Sequence, residues 1–110
     1  MIKLYFYILE RPFMREPFIR FEECDVVEKP KTYKPIERFP SGIYSAYYLK
    51  ENIGRLTGRY TKNVALVVND PERALRQIED MAKDNIAVYE KKIMEEKKIL
   101  KAVEDYRKNG

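Results

Sequence analysis

Few side chains in this sequence are of the types that carry out catalysis. The chain contains no histidine, which removes the most common general base and the usual nitrogen ligands of zinc and iron. Its single cysteine, Cys24, has no base near it in the sequence that would activate it as a nucleophile. A half-buried structural thiol is the simpler interpretation. We therefore expect a protein that is not an enzyme and carries no cofactor.

The acidic residues form one compact cluster, at Glu22, Glu23 and Asp25. On a strand, Glu23 and Asp25 would share one face, where two carboxylates can hold a hard cation. A solvated strand face opposite basic neighbours explains the same pattern without a ligand. We favour that second interpretation, and we predict no metal site.

A loop with two glycines and two arginines follows in the middle of the chain, with the sequence Gly54-Arg-Leu-Thr-Gly58-Arg59. Such a loop can present backbone amides to a phosphate. It lacks the lysine and the serine or threonine that end a nucleotide-binding P-loop. An ordinary glycine turn is the favoured interpretation.

The most informative pattern is the mixture of basic and aromatic residues between residues 29 and 62, where eight basic side chains accompany two acidic ones. Tyrosines and cations together can stack on bases and neutralise phosphates. Tyrosine and arginine are also enriched at the centres of protein–protein interfaces, and tyrosines can equally build a core. All three interpretations stay open. The candidate binding residues are Tyr33, Lys34, Arg38, Tyr47, Tyr48, Arg55, Arg59, Tyr60 and Lys62.

Strands are expected to carry most of these residues. Residues 2–9 alternate between two faces with apolar and aromatic side chains, which predicts a strand. A proline-containing loop then leads to a second strand at about 18–28, and a change of apolar phase predicts a β-bulge near Glu22 and Glu23. Together these segments predict a long hairpin.

The middle of the chain predicts three more extended segments. The three prolines between residues 29 and 40 favour an extended crossing segment that pairs only at an edge. Residues 43–49 predict a third strand, and residues 64–68 predict a short buried strand. The fold class is therefore α+β, with a small antiparallel sheet of about four strands.

A long helix is predicted to follow. Asn69 or Asp70 is suited to the N-cap and Pro71 to the first helical position, and apolar residues then recur every three or four positions from Leu75 to Val103, except that Glu96 interrupts the stripe. An unbroken helix would run to about Arg107. A break at Asp84-Asn85 stays open. The apolar stripe is expected to pack on the sheet as far as about Tyr89. An exposed stripe beyond it predicts that the helix pairs either with a second copy of itself or with a helix of a partner protein; a homodimer would form through Tyr89, Ile93, Leu100 and Val103.

Length and composition place these elements in one domain. The chain has 110 residues and a net charge of +4, and we expect a single domain with a β-rich part at 1–69 and a helical part at 70–108. One cysteine allows no disulfide within the chain, which favours a reducing compartment. With neither a signal peptide nor a transmembrane segment recognisable, we expect the protein in the cytoplasm and not in a membrane.

Three further segments are informative when taken together. They are the opening Ile2-Lys-Leu-Tyr-Phe-Tyr7, the stretch Lys50-Glu-Asn-Ile-Gly54, and Val64-Ala-Leu-Val-Val68 leading into Asn69-Asp-Pro-Glu-Arg-Ala74. In this order they resemble small proteins of phages and prophages in low-GC Gram-positive bacteria. The resemblance covers about residues 1–80. It implies an inhibitor of host defence, such as an anti-CRISPR protein, that contacts a host protein. The alternative is a small nucleic-acid or nucleotide-binding protein that sequesters an anionic ligand.

Overall fold

The computed structural model describes residues 2–109 and separates into two compact units, one ending at Ile78 and one beginning at Glu79. The elements are β1 (Ile2–Glu10), β2 (Phe18–Glu28), β3 (Thr32–Pro35), β4 (Tyr48–Leu49), a 3₁₀ turn (Lys50–Asn52), β5 (Asn63–Leu66) and α1 (Pro71–Asn109). The sheet is antiparallel throughout, in the order β4-β3-β2-β1-β5. The α+β class, the antiparallel sheet and the long C-terminal helix are confirmed. The expected number of strands, about four, is corrected to five.

Strand β1 has an apolar core on each of its faces. Leu4, Phe6 and Ile8 are completely buried on one face, where residues from the segment between Phe39 and Ile53 cover them. On the other face, Tyr7 packs with β5 and with the start of α1. Burying a large apolar side chain stabilises the fold by about 1.5–3 kcal/mol, so this strand anchors the first unit from both sides.

The β1–β2 hairpin has an uninterrupted register over its whole length, so the predicted β-bulge near Glu22 and Glu23 is wrong. The apolar side chains of β2 change face because its two ends are covered on opposite sides. Phe21 packs against the ring of Tyr7, with ring centroids 5.0 Å apart, whereas Cys24 belongs to the core on the other face. The apolar side chains of β2 therefore change face because the two ends of a regular strand pack against different neighbours.

The third predicted strand, at residues 43–49, is wrong over most of its length, because only Tyr48–Leu49 pairs in the sheet. Its partner is β3, which lies between β2 and β4 and not at the edge of the sheet. The Ser45 hydroxyl donates a hydrogen bond to the Tyr47 carbonyl at 2.6 Å and accepts one from the Tyr47 amide at 3.4 Å. Such local hydrogen bonds compete with strand formation and bend the chain just before β4.

The outer edge of β5 is closed by the preceding loop. The Gly54 amide donates to the Ala65 carbonyl at 2.9 Å, and Thr57 and Asn63 exchange both of their backbone hydrogen bonds. An open strand edge is a template for unwanted pairing with other chains. This loop removes that opportunity and, at the same time, fixes its own position against the sheet.

Helix α1 starts where the sequence predicts. The Asp70 carboxylate accepts a hydrogen bond from the Arg73 amide at 3.3 Å, as an N-cap residue does, and Pro71 is the first helical residue. Within the first unit the helix packs through Ala74 and Ile78. Burial in α1 ends there, so the expected packed face is much shorter than the stretch to Tyr89.

The second unit, from Glu79, is helical to Asn109 without a break at Asp84-Asn85. All of its described side chains except that of Met81 are exposed. In the part of the chain that the structure describes, no helix has the length and apolarity needed to cross a membrane.

Candidate binding site

The first unit carries a groove of about 490 Å³ between residues 42–49 and 57–63. We call it the tyrosine groove, and the side chains that define it are Tyr44, Tyr47, Tyr48, Arg59, Tyr60 and Asn63. Strand β4 contributes Tyr48 and Leu49 to the lining and β5 contributes Asn63. Tyr48 and Asn63 form the floor of the groove, and the two loops provide its walls.

Tyr48 fixes the floor of the groove to the core. Its ring makes an edge-to-face contact with Phe6, with centroids 5.6 Å apart, and a similar contact with Phe39 at 6.4 Å. Its hydroxyl lies 3.1 Å from the Thr57 hydroxyl. Burial raises the pKa of the Tyr48 phenol, and its hydrogen bonds with the Thr57 hydroxyl and the Ala65 backbone offset this increase only in part. Tyr48 is therefore a neutral anchor at ordinary pH.

Asn63 organises the loop that forms one wall. It is only 4% exposed, and its side-chain amide donates to the carbonyls of Thr57, at 3.4 Å, and Thr61, at 3.3 Å. Its amide oxygen accepts a hydrogen bond from the Tyr48 hydroxyl at 3.3 Å. One buried side chain thus joins the floor of the groove to the loop that carries Arg59 and Tyr60.

The rim of the groove is made of exposed aromatic rings. Tyr44 and Tyr60, which are 81% and 77% exposed, contact each other edge to face with centroids 6.5 Å apart. The Arg59 guanidinium lies 5.5 Å from the centroid of the Tyr60 ring. Tyr47 is half exposed beside them. Three tyrosines and one arginine therefore face solvent around a fixed floor.

Of the predicted binding residues, the groove brings together Tyr47, Tyr48, Arg59 and Tyr60. Tyr33 lies in the core of the first unit, with the Lys50 ammonium 5.3 Å from its ring centroid. The remaining predicted residues are exposed, but they do not line the groove; they are Lys34, Arg38, Arg55 and Lys62. Among the described residues that line the groove, Arg59 is therefore the only one with a positively charged side chain.

Sequence reasoning did not select Tyr44 or Asn63. Tyr44 lies in the segment 43–49, for which the sequence predicts a strand, and its exposure follows from the bend in the chain before β4. Asn63 carried a weak signal, since an amide directly before the apolar run Val64-Ala-Leu is well placed to bond a preceding loop.

Three backbone amides of the glycine loop already donate hydrogen bonds within the fold. The amides of Gly54, Arg55 and Thr57 donate to the carbonyls of Ala65, Asn52 and Asn63, respectively. Gly54 and Gly58 have φ values of 78° and 118°, which is why the turn needs glycine at both positions. The loop closes the edge of β5, in agreement with the glycine-turn interpretation.

A second groove, of about 880 Å³, runs between β2 and residues 36–41. Four carboxylates and one arginine line it, namely Glu22, Glu23, Asp25, Glu37 and Arg38. Glu23 forms an ion pair with Lys3 across the hairpin at 2.9 Å, and Glu22 is paired with Arg20. Within residues 2–109 no three acidic or cysteine side chains are grouped as a metal site requires. The acidic lining of this second groove disfavours a nucleic-acid or nucleotide ligand.

Cys24 is buried next to this second groove. Its thiol lies 3.5 Å from the Arg38 carbonyl, and burial, together with the charges of Asp25 and Glu22, raises its pKa. A raised pKa keeps the thiol protonated and therefore a poor nucleophile at neutral pH. The observed position fits the structural role that the sequence favoured.

Comparison of the chain with protein-family models, with curated proteins and with solved structures found no match. The function has to be argued from the tyrosine groove itself.

Proposed function

We propose that the protein is a non-catalytic binding protein that attaches to a partner protein through the tyrosine groove. The observation that carries this proposal is the ring of exposed tyrosines, Tyr44, Tyr47 and Tyr60, with Arg59, around a floor fixed by Tyr48 and Asn63. Tyrosine and arginine dominate the energetic centres of protein interfaces. A tyrosine also gives a large contact area for the loss of only two side-chain torsions.

The charge distribution favours a protein partner over a nucleic acid. A site for a polyanion gathers several cations along the path of the phosphates. Here the basic side chains that flank the groove in sequence lie outside its lining, and Arg59 alone remains. The single arginine stacked on a tyrosine is instead suited to one carboxylate or carbonyl on a protein surface.

The resemblance to small phage and prophage proteins suggests the biological setting. The proposed partner is a component of host defence, such as a CRISPR nuclease, and the protein inhibits it by occupying part of its surface. Such an inhibitor needs an exposed, well-ordered contact surface and no catalytic groups of its own.

Site-specific photocrosslinking tests the proposal. Benzoylphenylalanine replaces Tyr60 in one protein and Tyr106 in a control, because these two tyrosines are 77% and 78% exposed. After irradiation with the lysate of a Gram-positive host that carries a CRISPR system, the probe at position 60 should attach to one CRISPR protein, and the probe at position 106 should not. Adducts to nucleic acid alone, lost steeply as salt increases, would replace the proposal by the nucleic-acid alternative.

A phage assay then connects binding with inhibition. Expression of the protein in a host immunised against a phage should restore plaque formation. The double variant Tyr44→Ala/Tyr60→Ala should restore far fewer plaques, although both residues are exposed and their loss should change the stability by less than about 0.5 kcal/mol. Equal numbers of plaques with and without the protein would contradict a role against this defence system.

A further inference from the structure

The second unit carries an exposed apolar stripe with a seven-residue repeat. Ile86, Ile93 and Leu100 recur at every seventh position, and Tyr89 and Val103 lie three residues after the first and the last of them. These five side chains are between 43% and 69% exposed. The spacing is that of the a and d positions of a coiled coil, with the first three residues at a and the other two at d.

The charges beside this stripe alternate in sign from one repeat to the next. The e position, directly after each d residue, is occupied in turn by Lys83, Glu90, Lys97 and Glu104. Lys83 and Glu104 also form ion pairs within their own helix, with Glu79 at 2.7 Å and with Lys108 at 3.3 Å. Pairs four residues apart do not, however, require the charge to change sign every seven residues. The order becomes meaningful when the e positions of two helices face each other, as they do in an antiparallel pair.

We propose that residues 79–109 form an antiparallel coiled coil with a second copy of the same segment. In one register, Lys83 faces the partner's Glu104 and Glu90 faces the partner's Lys97, and two-fold symmetry repeats both contacts. A shift by one heptad in either direction places lysine against lysine and glutamate against glutamate. The charges therefore select one antiparallel register and disfavour its neighbours.

The parallel arrangement is disfavoured by two other residues. In a parallel pair, Lys92 at the g position faces the partner's Lys97, and Glu96 at the d position faces the partner's Glu96 inside the seam. In the antiparallel register, Glu96 instead lies opposite the partner's Ile93 and beside the partner's Lys92. A charged residue that finds a partner in only one arrangement specifies orientation at a cost in stability.

Charge-swap variants of the full chain test the register by sedimentation equilibrium. Glu90→Lys and Lys97→Glu should each weaken the dimer by about tenfold or more, since each replaces two attractive contacts by two repulsive ones. The double variant Glu90→Lys/Lys97→Glu should recover the original affinity. Lys98→Glu, which changes the net charge by the same amount at a position facing away from the seam, is the control and should leave the affinity unchanged.

Every other outcome of these measurements overturns the proposal. A chain that stays monomeric at all accessible concentrations has no such coiled coil. Tighter association of Lys97→Glu would indicate the parallel pair, in which the new glutamate meets the partner's Lys92. A double variant as weak as its single parents would exclude direct pairing of these two positions.

A distance measurement tests the orientation independently. A nitroxide label is attached to Asp105→Cys, and the unsubstituted chain serves as the control because its only cysteine, Cys24, is buried. The proposed register separates the two labels by about 30 Å along the coiled coil, at 1.5 Å per residue. In a parallel pair the two labels would lie side by side, separated only by the width of the coiled coil. A distance that short would contradict the proposed register.

Discussion

The tyrosine groove and the helical segment 79–109 both expose large apolar side chains, but these are positioned in different ways. In the groove, the positions of three rings depend on residues from another part of the chain: Tyr48 is hydrogen-bonded to Thr57 and Asn63, and Tyr44 contacts Tyr60. In the helix, the position of Ile93 relative to Leu100 follows from the helical repeat alone.

Because of this difference, the groove and the helix should respond differently to substitutions. The groove exists only while the core beneath it is intact, because its floor residue Tyr48 packs on Phe6 and Phe39. The helical surface needs only local backbone hydrogen bonds. Substitutions under the groove should therefore reduce stability and binding together, whereas substitutions on the helix should change association and leave the first unit intact.

The largest contrast is expected between two tyrosines. Tyr48→Ala should reduce the free energy of unfolding by about 3–5 kcal/mol, because it removes a buried ring and leaves a cavity. Tyr106→Ala, at a position that is 78% exposed, should change it by less than about 0.5 kcal/mol. Urea unfolding followed by circular dichroism, at low protein concentration, measures both. Similar losses in the two variants would show that the groove and the helix are equally coupled to the core.

The next largest loss of stability is expected from substitution of a glycine in the groove wall. Gly58 has φ 118°, and a Cβ atom there would lie 2.1 Å from the Thr61 carbonyl oxygen. Gly58→Ala should cost about 1–3 kcal/mol from backbone strain and should displace the loop that carries Tyr60, so that crosslinking from position 60 is lost. Ala87→Gly in the helix is the reverse control, with a cost of about 1 kcal/mol and no loss of crosslinking. Retained crosslinking in Gly58→Ala would mean that the loop geometry is not needed for binding.

The long elements could be predicted from the sequence because their patterns are local. Strand β1 alternates regularly between faces, and helix α1 has a cap, a proline at its start and a repeat of three and four. The predictions were wrong where the conformation of a segment depends on the residues that pack against it or bond to it. The face change in β2 suggested a bulge, but Phe21 and Cys24 simply have different neighbours. The bend at Ser45, which shortens β4, depends on a side-chain hydrogen bond that a strand pattern does not reveal.

The same reasoning explains what could be predicted of the groove. If residues 43–49 formed a strand, the rings of Tyr47 and Tyr48 would point in opposite directions, but the sequence does not show which of them enters the core. The pairing of β4 with β3 decides that Tyr48 is buried and Tyr47 is exposed. Asn63 could not be ranked above other asparagines, since its role depends on carbonyls of a loop whose path was unknown.

A smaller effect is expected at the start of the helix. Asp70→Ala should cost about 1 kcal/mol, because the amide of Arg73 loses its hydrogen-bond acceptor. Asp84→Ala, in the middle of the same helix, is the matched control and should slightly stabilise it, since alanine is the better helix former. If thermal unfolding shows a loss of stability for Asp70→Ala and a gain for Asp84→Ala, the capping role of Asp70 is confirmed. A loss of the same size at both positions would contradict it.

The smallest effect is expected in alkaline solution, and it distinguishes the groove floor from the rest of the chain. Burial raises the pKa of Tyr48 in the folded state above its ordinary value of 10.0. Folding therefore favours the neutral phenol. Its contribution to stability is complete below the pKa of the unfolded chain and is lost as pH rises through the folded pKa.

The pKa values of Cys24 and Tyr7 are also raised in the folded state, so the dependence of wild-type stability on pH cannot by itself isolate Tyr48. The difference between wild type and Tyr48→Phe does isolate it: the alkaline decrease in unfolding free energy should be smaller in Tyr48→Phe than in the wild type. Identical curves for Tyr48→Phe and wild type would mean that the phenol is not sealed in the floor and that the groove opens to water beneath its rim.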